Sequence, residues 1–157
     1  FEALEVLLSE LADVVDRFLV AEADHTASMD PKPMYLDSEF DRYKENSYGL
    51  YRMRVAMPKG CSEEVGGCDG YARNMLLRTS LAKARADAQD LFVVAEPDEV
   101  LSREFVLQLK HCQVRTPLLV GVRHFVYSLA WEVPPRGPCG RGRSAEQVPV
   151  VLTAPDL

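Results

Sequence analysis

Leu91-Phe92-Val93-Val94-Ala95-Glu96-Pro97-Asp98-Glu99 is the stretch on which the fold turns. A short apolar run with β-branched residues reads as a buried strand, and Pro97 forbids simple continuation of a β-ladder. Three acids then fall within four positions, Glu96, Asp98 and Glu99. In open α/β sheets ligands sit outside the carboxyl ends of the strands. Carboxylates gathered there offer hard oxygen ligands to a divalent cation that also binds phosphate oxygens. The stretch therefore predicts an α/β protein and nominates Glu96 and Asp98 as metal ligands. Taken alone, the same acids serve as well to solvate a turn or to favour the N-terminus of the next helix.

Working outward, residues 71–88 are rich in Ala, Leu, Met, Arg and Lys, and predict a helix leading into the strand. On the other side Phe105, Val106 and Leu109 share a face of a second helix over Ser102 to Cys112, with Ser102 as N-cap and Glu104 in the first turn. Leu118 to Trp131 holds one long or two short strands. Nearer the start, Leu4, Leu7, Leu8, Leu11, Val14, Val15 and Phe18 recur at helical spacing and predict an amphipathic helix over residues 3–17. Phe18 to Ala21 follows as a short strand, with the polar loop Glu22-Ala23-Asp24-His25-Thr26 at its end and a turn stiffened by Pro31-Lys32-Pro33. A polar, Tyr-rich segment leads to Leu50–Met57, where Tyr51, Met53 and Val55 alternate with Arg52 and Arg54 as in a half-exposed strand. Gly60, Gly66, Gly67 and Gly70 mark a flexible loop. This order predicts an α/β sandwich on a mixed, mostly parallel sheet. After Pro134 the Pro/Gly/Arg bias predicts a disordered tail over residues 135–157, leaving 1–134 as the folded domain.

Composition narrows the function. With 157 residues, 47% apolar and 27% charged, the chain fits one globular domain with a single core. A net charge of -6 argues against broad affinity for nucleic acid or anionic lipid, and Arg136, Arg141 and Arg143 are too few to reverse it. Cys61 and Cys68 could close a small loop in an oxidising compartment or stay reduced, and the spacing leaves both open. No cysteine pattern matches a zinc site. No apolar run approaches bilayer length, and Glu2, Glu5 and Glu10 do not suit a signal peptide, so the chain as it stands reads as soluble, with no membrane contact of its own. It starts in patterned sequence without an initiator methionine, which suggests a piece of something longer.

Several ordered blocks carry a resemblance. Leu4-Glu5-Val6, Glu10-Leu11, Asp13-Val14-Val15-Asp16, Phe18-Leu19-Val20-Ala21-Glu22, Thr26 and Pro31-Lys32-Pro33 come first. Gly70-Tyr71-Ala72-Arg73, Phe92 to Glu99, Val122-Arg123 and Tyr127 to Trp131 follow. Together they resemble glycosyltransferase family 17, the β-1,4-mannosyl-glycoprotein 4-β-N-acetylglucosaminyltransferase family, over about Phe1 to Pro134. The resemblance implies a GT-A-like nucleotide-sugar-binding fold, present here in part, and a UDP-N-acetylglucosamine donor. It also implies a divalent cation of the manganese type, transfer to the β-linked core mannose of N-glycans on glycoproteins, and the Golgi lumen. Glu96 and Asp98 fall on the metal-binding acids, with Glu99 adjoining, Arg73 on the arginine of the preceding helix and Glu22 on the acid ending the first strand. Glu22, Arg73 and Glu99 are thereby assigned to the donor. The chain departs from the family pattern at Ala95, where an aspartate is usual, at Leu101 in place of proline, and at Leu7 in place of arginine.

Direct displacement at a sugar needs a general base near the acceptor hydroxyl, and neither His25, His111 nor His124 stands out as one. Arg73 could balance diphosphate charge or simply face solvent from a helix, and Glu22 could bond the uracil or ribose or serve its own loop. Tyr127 and Trp131 suit either sugar stacking or the core. Lys32, Arg52 and Arg54 could meet phosphate, though a solvated strand face explains the arginines equally. Two other functions fit: an inactive or truncated nucleotide-binding relative, and a phosphoryl-accepting, receiver-like α/β domain using Asp98 with magnesium. The second lacks the extra acidic pair and strand-end lysine that such chemistry uses.

Overall fold

Leu4, Leu8 and Leu11 bury one face of the first helix, α1 (Glu2–Leu11), in the computed structural model, which describes residues 2–26, 28–45, 49–61, 67–84, 87–126, 128–133 and 149–153. Leu8 is fully buried, which contributes about 1.5–3 kcal/mol of transfer free energy. The helix stops six residues short of the end expected for it at residue 17. The amides of Val14 and Val15 both reach back to the Leu11 carbonyl in a turn, and that turn still delivers Val14 and Phe18 to the core.

β1 (Phe18–Ala23) and β2 (Leu50–Val55) pair in parallel, from Phe18 opposite Leu50 to Ala23 opposite Val55. Parallel neighbours need a crossover, and α2 (Tyr35–Glu45) supplies it out of the segment that looked merely polar. Its apolar stripe is narrow: Leu36, Phe40 and Tyr43, at i, i+4 and i+7, are buried. Gly49 leads into β2 with φ at +58°, and a Cβ there would lie 3.2 Å from the Asp16 carbonyl, so glycine is required. α3 (Gly67–Ala84) lies against β1 and β2. A disulfide between Cys61 and Cys68, both buried, ties the segment after β2 to the first turn of α3.

β3 (Leu91–Val94) is followed by α4 (Arg103–His111), whose N-cap is Ser102, its hydroxyl accepting from the Phe105 amide as expected. Then come β4 (Leu118–Leu119), β5 (His124–Val126), β6 (Ser128–Val133) and β7 (Val150–Thr153). β7 sits between β3 and β4, antiparallel to both, and β5 pairs antiparallel with β6.

Two expectations change here. The sheet is mixed, but among the described residues only β1 with β2 is parallel, while the other three pairings are antiparallel. The strand of the opening stretch therefore lies at an edge of a three-stranded sheet, with Val93 39% exposed, instead of being buried on both sides. The second change concerns the region read as a tail. Pro149 and Val151 are fully buried and Val150–Thr153 is a strand, because a β-branched apolar run can complete a ladder whatever the composition just before it. Residues 134–148, Tyr127 and the side chains of His124 and Trp131 lie outside the described residues, so the readings of Arg136, Arg141, Arg143 and the two aromatics do as well.

The core joins α1, α2, α4 and β7 around Leu8, Phe18, Leu36, Phe40, Val106, Leu109 and Val151. Ion pairs rim it. Arg103 bonds Asp13, Lys110 bonds Asp16 and Arg42 bonds Glu5, joining α4 to the α1–β1 turn and α2 to α1.

Candidate functional site

Past Val94 the chain folds into a tight turn. The Glu99 amide donates to the Glu96 carbonyl at 3.0 Å, and the fixed φ of Pro97 suits the position after the turn's first residue. The turn is closed a second time by the Glu96 amide, which donates to Glu99 Oε2 at 2.9 Å. Glu99 is 4% exposed, and a buried carboxylate needs hydrogen-bond donors, of which this amide is one. Glu96 is 54% exposed and Asp98 is exposed. From the second turn of α3, Arg73 reaches across and sets Nη2 2.6 Å from Glu96 Oε1, a short charge-assisted bond. Arg73, Glu96 and Glu99 are thus bonded into one unit, and Asp98 rides on the same turn.

Glu22 is bonded elsewhere. Its Oε1 accepts from Lys32 Nζ at 2.8 Å and from the Tyr35 amide at 2.9 Å, and its Oε2 accepts from the Leu36 amide at 2.8 Å. Those amides open α2, where orphan donors and the helix dipole favour a carboxylate. Beside it, Asp37 in the first turn of α2 takes Arg52 at 2.5 Å and also Arg54, so the basic pair of β2 is engaged within the protein. Arg52 also stacks its guanidinium 4.5 Å from the Phe40 ring centroid.

One arrangement was not legible in the sequence. Asp24 Oδ1 lies 2.7 Å from His25 Nδ1 and accepts from the Met57 amide at 2.9 Å, clamping the ends of β1 and β2 together. The His25 bond first, and the Met57 amide second, hold the Asp24 carboxyl below the usual carboxylate range. The only hint was the adjacency of an acid and a histidine at a strand end.

Among the described residues no group of three His, Cys, Asp or Glu could hold a metal ion. The three acids of the turn form no such group, and Glu96 and Asp98 are the two whose side chains are exposed. A cavity of about 540 Å³ between α1 and α2 is lined by Glu2, Glu5, Val6, Ser9, Glu10, Arg42 and Tyr43, none of them in the turn. Burial raises the Tyr43 phenol's pKa, with Glu5 adding to the effect. No described helix is long and apolar enough to cross a membrane.

The acidic strand-end turn and the helix arginine thus stand together in a mixed α/β protein. Residues 1–138 match the model of glycosyltransferase family 17, and the chain belongs to that family. It is similar to the proteins named β-1,4-mannosyl-glycoprotein 4-β-N-acetylglucosaminyltransferase of Homo sapiens and Rattus norvegicus, each 30% identical over 143 residues, and to that of Mus musculus at 29%. The matches cover 85% of this chain and 26% of each relative, so the chain spans about a quarter of their length. No solved structure matches it.

Proposed function

We propose that this chain is the donor-binding part of an N-acetylglucosaminyltransferase acting on UDP-N-acetylglucosamine, with the β-linked core mannose of N-glycans as acceptor and the Golgi lumen as its place. The fold would then be a partial GT-A-like domain. The reading draws on the family and on the names of the relatives. The observation that carries it is the exposed turn Glu96–Glu99 braced by Arg73.

Glu96 and Asp98 would hold a divalent cation of the manganese type together with the donor diphosphate. When bound, such an ion offsets the negative charge that grows on the departing UDP. Arg73 brings a planar, permanently charged donor to the same place, suited to phosphate oxygens. Glu99 keeps the turn in shape from beneath. Glu22 shapes the nucleoside side through the start of α2 and the Lys32 turn. A base for the acceptor hydroxyl is not assigned among these residues. Ala95, in place of the aspartate usual in the family, favours the second reading, a nucleotide-binding relative without transfer activity.

Calorimetry tests the metal-dependent donor binding on which the first reading rests. UDP should bind more tightly with manganese than with a chelator, and Asp98→Ala should abolish that difference while leaving the melting temperature within a few degrees. Equal affinity with and without the metal in the wild type would overturn metal-dependent donor binding.

A further inference from the structure

We infer that the cavity between α1 and α2 binds a primary ammonium group carried on an alkyl stem, the chemistry of a lysine side chain or of a free polyamine. It lies apart from the Glu96–Glu99 turn, and the donor reading makes no use of it. The cavity measures about 540 Å³, within the range of small-ligand sites. Glu2, Glu5 and Glu10 line it against Arg42, a surplus of two negative charges. Val6, 58% exposed on the same wall, offers the apolar surface along which a cation's methylene stem can lie.

Acids on a helix ordinarily do no more than face solvent, and the feature that marks this cavity out is Tyr43. It lines the cavity at 2% exposure, and its hydroxyl is buried with no hydrogen-bond partner among the described residues. Buried hydroxyls are nearly always bonded, because an unmet one forfeits the bonds it makes in water. The charges of Glu5 and Arg42, both on the cavity wall, are felt at this phenol, which sets the hydroxyl toward that wall. Burial and Glu5 hold its proton on, so the oxygen is a neutral acceptor. An ammonium has three N–H donors to share between that oxygen and the carboxylates, which the planar fork of a guanidinium does not match as well.

The wall already takes one cationic head. Arg42 Nη2 lies 2.7 Å from Glu5 Oε1 and its Nη1 lies 3.8 Å from Glu39, with the arginine side chain 62% exposed. Exposed pairs of this kind are weak, so an arriving ammonium can share Glu5 or displace the guanidinium at little cost. Glu10 gives one oxygen to the Arg103 amide, which fixes it in place beside the cavity.

The test is calorimetric titration of the chain with N-terminally acetylated trilysine amide and with spermidine. The same peptide with its three side chains acetylated is the uncharged control. Both cations should bind, the control at least tenfold more weakly, and the tighter of the two cations identifies the source as peptide or polyamine. Tyr43→Phe should weaken both cations about three- to tenfold, the worth of one hydrogen bond. It should melt no lower than the wild type, because the oxygen removed has no partner to lose. A tyrosine with a purely structural role would not separate the two readouts in that way. Glu2→Gln and Glu5→Gln should each cost about two- to fivefold, whereas Asp30→Asn, an exposed acid outside the cavity, should leave binding unchanged. No binding of either cation, equal binding of the acetylated control, wild-type affinity in Tyr43→Phe, or an equal loss in Asp30→Asn would each overturn the site and leave the donor reading untouched.

Discussion

Two charged clusters, one at the start of α2 and one after β3, contain similar residues and are built to opposite ends. Around α2, Glu22 gives both oxygens to helix amides and Lys32, and Asp37 takes the two arginines of β2. Each charge there is consumed by a neighbour, most are half-buried, and the result is a fastened crossover between parallel strands. After β3, the buried acid Glu99 alone serves the backbone, while Glu96 and Asp98 are left exposed on a rigid turn with one arginine beside them. Charge that saturates itself holds a fold together; charge kept exposed on a fixed frame remains available to a ligand. The basic strand Arg52 and Arg54, which suggested a phosphate contact, belongs to the first kind.

The comparison is broken most directly at Glu22. Glu22→Ala strips two helix amides and Lys32 of their acceptor and should cost about 2–3 kcal/mol in urea unfolding. Glu22→Gln should cost less, because it keeps acceptor oxygen. A loss below about 0.5 kcal/mol would place the α2 cluster among ordinary surface charges.

Glu99→Ala should come next, at about 1–2 kcal/mol, since it leaves the Glu96 amide without its carboxylate partner in a part-buried hydrogen bond. It should also weaken manganese-dependent UDP binding, because the turn that carries Glu96 and Asp98 loosens. A variant that is destabilised but binds UDP as the wild type does would show that the frame and the ligand site are independent.

The smallest effect concerns Asp24. Its folded-state pKa is depressed, so its bonds to His25 and Met57 stabilise the protein above the unfolded carboxyl range, and that stabilisation is lost as pH falls through the folded value. Asp24→Asn should therefore flatten the stability profile below about pH 4 and leave it parallel to the wild type at neutral pH. Melting temperatures across an acid series check this.

Local signals were readable and long-range ones were not. α1 and α4 announce themselves through apolar stripes and, for α4, through the Ser102 cap. The stripe of α2 is equally regular, but three apolar side chains among tyrosine, acids and bases make a weak contrast, and it went unread. β7 was hidden by the bias of the residues before it. Strand direction depends on which distant segments meet: Leu91 pairs with Thr153, and nothing near Leu91 says so. The site divides in the same way. Glu96, Asp98 and Glu99 are visible as adjacent acids, whereas the bond from Arg73 to Glu96 spans 23 positions and that from Met57 to Asp24 spans 33, separations that carry no periodicity.

The place of β7 has a practical consequence. The family match ends at residue 138, and β7, at Val150–Thr153, lies beyond it. Yet β7 is the strand that β3 and β4 both lean on, with Val151 wholly enclosed. An expression boundary drawn at residue 138 on grounds of homology would strip the acidic turn's strand of its described ladder partner and present its backbone, at an edge, to any passing chain. The family match and physical integrity thus end at different residues, and a well-folded preparation would have to honour the second.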